Sequence, residues 1–256
     1  MVKHYSNFNI QKKHKGSIIL IGNFDGLHLG HRKLFELAKL YKKKHHLKIG
    51  VVNFNPMPKM FFNKKLKNFR LSNIEQKIKL LNSLNVDFLI TKKFDKKFSK
   101  IKAIYFITQI LNKKLSSKFI FVSNNFRFGN KREGNVNLLK KYEKLFNYKV
   151  IKPEPLIKNK KTVSSSLIRN FLEKGFLNKA NYLLNRNWTI EGVVKKGRQL
   201  GKKIGFPTCN IDIQDYVIAK PGVYAVKVLR KNNNKYLRGI ANLGYRPTFN
   251  QKKILL

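Results

Sequence analysis

His28 and His31 stand three residues apart within Gly22-Asn23-Phe24-Asp25-Gly26-Leu27-His28-Leu29-Gly30-His31, a spacing that puts both imidazoles on one face of a helix. Two such rings can reach a single phosphate group. Gly30 between them carries no side chain where a nucleotide must come close. Further on, Ser164-Ser165-Ser166 precedes Arg169 by three residues. Hydroxyls and free backbone N–H groups at a helix start bind phosphate, and arginine adds charge in a two-pronged geometry. Alone, the histidine pair also reads as a solvated surface turn, and the serine run as an ordinary helix cap. Together they read as a phosphate clamp closed from two sides.

The elements around these residues are those such a clamp needs. Ile18-Ile19-Leu20-Ile21 is a buried-strand pattern immediately before Gly22, and Leu34, Leu37, Ala38 and Tyr41 space as a helix after His31. Strand, glycine turn and helix start together hold anions well. Strands are predicted over 17–22, 48–54, 86–91, 119–122 and 148–151, with helices over 34–41, 74–84, 101–111 and 138–146 between them. Ser72 and Asn73 are candidate caps for the helix over 74–84. Strand–helix alternation predicts a mostly parallel sheet covered by helices, with ligands beyond the carboxyl ends of its strands. Short helices over 167–172 and 180–184 follow. Thereafter 188–194, 222–229 and 236–243 read as strands with glycine and proline turns, so an all-β module should begin near Arg186.

Two further loops leave strand ends. Phe54-Asn55-Pro56-Met57-Pro58, ending in Phe61-Phe62, is stiffened by its prolines, and its aromatic rings could wall a flat ring system or simply face the core. Ser123-Asn124-Asn125-Phe126-Arg127-Phe128-Gly129 offers an amide, a guanidinium and two aromatic rings, a set suited to a ligand with both a ring and a phosphate.

Composition narrows the class. Of 256 residues, 42% are hydrophobic, enough for a folded core rather than disorder. No apolar run approaches the ~20 residues of a membrane span, and Met1 to Lys15 lacks a secretory pattern. Cys209 is the single cysteine, so no internal disulfide can form. A cytoplasmic protein is expected, with no membrane partner. The formal net charge is +44, spread as lysine pairs and triplets along the chain without a tail or block. Lysine and asparagine share A-rich codons, so an AT-rich genome gives this bias without a nucleic-acid partner. The field would still draw anionic substrates and cause salt-sensitive, non-specific RNA contact.

The order of these motifs is specific. The Gly22–His31 segment, Phe54-x-Pro56-x-Pro58, Asn125-Phe126-Arg127-Phe128-Gly129 and Val163-Ser164-Ser165-Ser166-x-Ile168-Arg169 resemble the bacterial bifunctional riboflavin kinase/FAD synthetase family. The likeness continues through Arg198-Gln199-Leu200-Gly201-Lys202-Lys203-Ile204-Gly205-Phe206-Pro207-Thr208-Cys209-Asn210, Pro221-Gly222-Val223-Tyr224 and Asn242-Leu243-Gly244-Tyr245-Arg246-Pro247-Thr248-Phe249. The resemblance implies an α/β fold: a Rossmann-like nucleotidyltransferase domain over 1–185, then a partial all-β, riboflavin kinase-like barrel over 186–256. It implies AMP transfer from ATP to FMN, giving FAD and pyrophosphate with Mg2+, and riboflavin as a second substrate. His28, His31 and Arg169 would be catalytic. Gly22, Asn23, Phe24, Asp25, Gly30, Ser164, Ser165 and Ser166 would bind ATP. Phe54, Pro56, Pro58, Asn125, Phe126, Arg127 and Phe128 would bind FMN. Gly201, Gly205, Thr208 and Asn210 would hold the kinase's nucleotide and metal.

There are departures from the family pattern. Ser123 stands where glycine is frequent, Ser166 where threonine is usual, and Cys209 where alanine is usual. After Phe249 the family continues to a glutamate that serves as the kinase base, whereas here no acidic residue follows Asp215. A truncated module with impaired riboflavin phosphorylation is the resulting expectation. Other nucleotidyltransferases with an H-x-G-H loop, acting on pantetheine-phosphate, nicotinate-nucleotide or glycerol-phosphate, remain an alternative. So does a basic RNA-binding relic of a decaying gene.

Overall fold

The computed structural model describes residues 1–66, 69–195, 205, 208–213, 215–230, 235–245 and 254–255. Its centre is a six-stranded sheet of β1 (Lys3–Tyr5), β2 (Ile18–Ile21), β3 (Ile49–Asn55), β4 (Phe88–Lys93), β5 (Phe119–Phe121) and, after a two-residue ribbon of β6 (Arg127–Phe128) and β7 (Gly134–Asn135), β8 (Lys149–Ile151). The order is β1-β4-β3-β2-β5-β8 and every pair within it is parallel. From β2 the chain runs outward one way through β3 and β4, then returns to β5 on the other side. The topological switch therefore lies between β2 and β5, where a crevice opens beyond the strand ends.

A parallel sheet must be covered on both faces, so its strands are apolar throughout. All four residues of β2 are buried. Alternation sends Ile19 and Ile21 into one core with Val52, Phe88, Ile90 and Ile107, and Ile18 and Leu20 into another with Phe35, Leu81, Leu89 and Phe121. The second core lies under α1 (Leu29–His45) and, after the short α2 (Pro58–Phe62), α3 (Ile74–Ser83). The first lies under α4 (Lys96–Ser99), α5 (Ala103–Tyr105) with its π-helical continuation Phe106–Lys114, and α6 (Val136–Lys141) with α7 (Glu143–Phe146). Asn73 caps α3 in a reciprocal box with Gln76. Ser72, the other candidate cap, instead accepts the Gly26 N–H at 3.3 Å.

The hairpin β9 (Ile157–Lys158) and β10 (Lys161–Thr162) leads to α8 (Ser165–Glu173) and α9 (Leu177–Leu184). Beyond Asn185 the described residues contain only strands: β11 (Val194–Lys195), β12 (Asn210–Ile211), β13 (Gly222–Val228), β14 (Leu237–Tyr245) and β15 (Ile254–Leu255). β13 pairs antiparallel with β14 over seven positions, and β14 with β15. A third core joins this region to the first. Ile213, Tyr216, Val217 and Ala219 are buried with Leu71, Ile168, Leu172 and Leu184.

Three predicted elements differ. The strand expected over 188–194 is absent before Val194, because its polar groups are taken by side chains instead of a ladder. Trp188 N–H donates to Asn181 Oδ1, Thr189 C=O accepts from Gln76, and Glu191 N–H donates to Tyr216 Oη. The helix over 138–146 is broken at Tyr142 into α6 and α7. The helix over 34–41 runs longer, from Leu29 to His45.

Candidate active site at the switch between β2 and β5

A cavity of about 310 Å³ opens where the switch predicts, lined by residues that include Gly22, Asn23, Asp25, His31, Ser166 and Arg169. The three distinctive loops do converge here. The loop after β2 supplies Gly22 to Asp25, the one after β3 supplies Met57 with Lys59 on α2 just beyond it, and the one after β5 supplies Ser123. The start of α1 brings His31, and the start of α8 brings Ser165 and Ser166. Two helix N-termini thus meet one cavity, each with a partial positive charge and free N–H groups.

The two histidines differ in role. Their rings stack with centroids 3.7 Å apart, but only His31 lines the cavity. His28 is buried beneath it, and its Nδ1 accepts the His31 N–H at 3.4 Å as the cap of α1. Gly30 allows this packing. A Cβ there would lie 3.1 Å from the Val163 carbonyl and 3.2 Å from the His28 ring. Phe24, buried in the core, meets the His31 ring edge-on at 5.2 Å. His31 Nδ1 and Asn23 Oδ1 are buried without a partner among the described residues, which is costly unless a ligand completes them.

Electrostatics favour an anion. Burial, then Arg169 and Arg186, pull the His28 pKa down to about 4, and burial, His28 and Lys77 hold His31 well below its ordinary value. Both rings are therefore neutral at pH 7. Lys77, a buried residue that sequence inspection passed over, donates to the Asn23 carbonyl at 2.7 Å, and burial lowers its pKa to about 8. It sits among the apolar positions of α3, with no motif to mark it.

Asp25, expected to touch ATP, is engaged by the protein. Its carboxylate accepts the Leu71 N–H at 3.0 and 3.1 Å and the Ser72 N–H at 3.3 Å, and it pairs with the Arg169 guanidinium. Arg169 Nε donates to the Phe69 carbonyl at 2.6 Å, and its guanidinium lies 3.6 Å from the centre of the Phe69 ring. The arginine is locked in place at the cavity wall. Of the serine run, Ser164 caps α8 by accepting the Leu167 N–H, and Ser165 Oγ donates to the Asp25 carbonyl. Ser166 is exposed.

The residues expected to hold a flavin lie outside this cavity. Phe126 and Phe128 stack at 5.4 Å and pack into the core beside Phe106. Phe54 joins Phe94 and Phe98, Pro56 and Pro58 are half-buried, and Asn125 and Arg127 are exposed. Met57, Lys59 and Phe69 line the cavity instead; only Met57 stands in a loop directly after a strand, while Lys59 lies in α2 and Phe69 beyond it. Of the kinase-motif residues, Gly201 lies outside the described residues, Gly205 and Thr208 are exposed, and Asn210 stands in β12.

Residues 10–167 match the FAD synthetase family model and residues 184–256 the riboflavin kinase family model. A bifunctional riboflavin kinase/FMN adenylyltransferase from Buchnera aphidicola subsp. Schizaphis graminum is 41% identical over 248 residues, covering 96% of this chain and 78% of the relative. The chain belongs to the bifunctional riboflavin kinase/FMN adenylyltransferase family. Its relative of the same description from Escherichia coli strain K12 is 36% identical, with 93% of this chain and 76% of the relative covered. A crystal structure described as a macrolide-efflux protein from Streptococcus pneumoniae superposes with a TM-score of 0.81 at 28% identity, covering 99% of this chain and 83% of that one. Among the described residues of this family member, no helix is long and apolar enough to cross a membrane.

Proposed function

We propose that the cavity between β2 and β5 binds the triphosphate of ATP and transfers AMP to FMN. The chain is an FMN adenylyltransferase with a riboflavin kinase unit joined to it, and 1–185 and 186–256 are the corresponding parts. The observation that carries the site assignment is that two helix N-termini, a locked arginine and a neutral histidine with an unpartnered ring nitrogen face one cavity.

A phosphate oxygen of FMN attacks the α-phosphorus of ATP in line, the bond from α-phosphorus to the bridging oxygen breaks, and pyrophosphate leaves. No covalent enzyme intermediate is needed, so the protein contributes orientation and fixed positive charge. His31 hydrogen-bonds the phosphate chain while His28 holds its ring. Arg169 and the start of α8 receive the pyrophosphate end. The half-buried Phe54 and Phe126 at the ends of β3 and β5, with the exposed Asn125, form the flavin side, outside the phosphate cavity. Among the described residues no group of three or more His, Cys, Asp or Glu could hold a metal, and Asp25 is already paired. Magnesium therefore fits here as an ion carried on the nucleotide's phosphates, which suits its preference for oxygen and water. Gly201, Gly205, Thr208 and Asn210 serve the kinase unit. The excess of lysine draws nucleotides and also RNA, in a salt-sensitive way.

His31→Ala should lower FAD formation from FMN by at least ~10²-fold, the usual loss for one transition-state donor. Thr208→Ala should leave that reaction near the wild-type rate. Normal turnover in His31→Ala would remove the phosphate assignment. Loss of FAD formation in Thr208→Ala would overturn the division between the two parts.

A further inference from the structure

Phe69 to Ser72 form a strip that is bonded on both sides. Toward the cavity, the Phe69 carbonyl and ring hold Arg169, while the Leu71 and Ser72 N–H groups hold Asp25. Away from it, the Phe69 and Arg70 N–H groups donate to the Asp215 carbonyl at 3.1 and 2.8 Å, and the Val217 N–H donates to the Arg70 carbonyl at 2.8 Å. Arg70 Nε lies 3.7 Å from the Asp215 carboxylate, and its terminal nitrogen donates to Asn55 Oδ1 at 2.6 Å, one residue before Pro56. The Trp188 indole N–H closes the set on the Leu71 carbonyl at 3.1 Å. Both Tyr216 and Val217 are buried in the core shared with Leu71 and Ile168.

We propose that residues 215–217, which belong to the kinase-matching part of the chain, are a positioning element for adenylyl transfer. They fix the strip, and the strip fixes Arg169. This rests on the reading of the cavity as the adenylyl transfer site. The coupling runs through short, directional bonds that leave Arg169 little freedom. Two of the guanidinium's nitrogens are spent on Phe69 and Asp25, so the direction of its remaining donors follows the strip. A displacement of about 1 Å in such a group can cost up to ~10²-fold in rate. Because most bonds to 215–217 use backbone atoms, truncating the exposed Asp215 side chain should matter less than removing the Val217 N–H.

The test uses the full chain with Arg70→Ala and Val217→Pro, and Lys79→Ala as control. Lys79 contacts Glu191 across the same two parts of the chain but away from the strip. FAD formation from FMN and ATP is measured as kcat and KM, each variant is repeated in an Arg169→Lys background, and amide exchange is followed at Leu71 and Ser72. The proposal expects kcat to fall about tenfold or more in Val217→Pro and by a smaller factor in Arg70→Ala, which keeps the strip's backbone bonds to 215–217, with KM little changed, and Lys79→Ala to match wild type. Neither variant should add its full loss in the Arg169→Lys background, since both act through that arginine. Leu71 and Ser72 should exchange faster in Val217→Pro. Wild-type kcat in both variants, or fully additive losses, would overturn the proposal and leave the strip only a structural seam. If wild type itself makes no FAD, the reading of the site fails. The exchange arm still decides the linkage, and unchanged protection at Leu71 and Ser72 would refute it.

Discussion

At the scale of single residues, the site depends on charges that are either locked or suppressed. Asp25 and Arg169 are both buried and neutralise each other; removing one partner of such a pair leaves the other uncompensated. His28 and His31 stay uncharged because burial and the cations around them oppose protonation. This has a measurable consequence. The unfolded chain takes up protons on both rings near pH 6.5, whereas folded His28 does so only near about 4. The folded state is therefore at full advantage above about pH 6.5, and that advantage declines as pH falls toward 4. The thermal midpoint should drop over this interval, and the drop should be smaller in His28→Gln, which cannot titrate. An identical slope in both proteins would contradict the buried, neutral assignment. The types of these residues were legible from the sequence, but their division of labour was not. Spacing put His28 and His31 on one face, yet only packing decides that His31 meets the cavity while His28 holds it. Asp25 lines the cavity, but nothing near it in the chain shows that Leu71, Ser72 and Arg169 approach its carboxylate from far along the sequence.

At the scale of elements, strong patterns carried over and weak ones did not. The apolar runs of β2, β3 and β5 and the spacing of α3 were readable because burial on both sheet faces demands them. β1 was not, since its three residues Lys3, His4 and Tyr5 carry no apolar pattern and are held by pairing to Phe88–Ile90. The opposite error, a strand over 188–194, came from alternating residues whose backbone partners turn out to be Asn181, Gln76 and Tyr216. Gly50 shows how tightly the sheet is fitted. A Cβ there would sit 2.1 Å from Phe88 Cζ, and Phe88 in turn stacks on His14 at 4.6 Å. Gly50→Ala must displace that ring within a filled core and should destabilise by at least ~1–3 kcal/mol in urea unfolding. A stability equal to wild type would mean that Phe88 does not lie across β3. Because the face is remote from the cavity, the surviving folded protein should keep its turnover.

At the scale of the molecule, the two matched regions are not beads on a string. The segment after Asn185 is hydrogen-bonded to α3 and to the Phe69–Ser72 strip, and Ile213, Tyr216, Val217 and Ala219 share a core with α8 and α9. Sequence order placed a change of character near Arg186, but it could not show that this later part packs against the Phe69–Ser72 strip of the earlier one. The charge of the whole chain agrees with an anionic substrate. Lys and Arg number 56 against 12 Asp and Glu, so most cations cannot be paired within the protein, and their summed field draws phosphates. The central claim is that the cavity at the switch point joins AMP to FMN. It is tested most directly by incubating the purified full chain with FMN, ATP and magnesium, then separating flavins by chromatography and assaying pyrophosphate. The account predicts FAD and pyrophosphate in equal amounts, both lost together in His31→Ala. FMN recovered unchanged, with no pyrophosphate released, would contradict it.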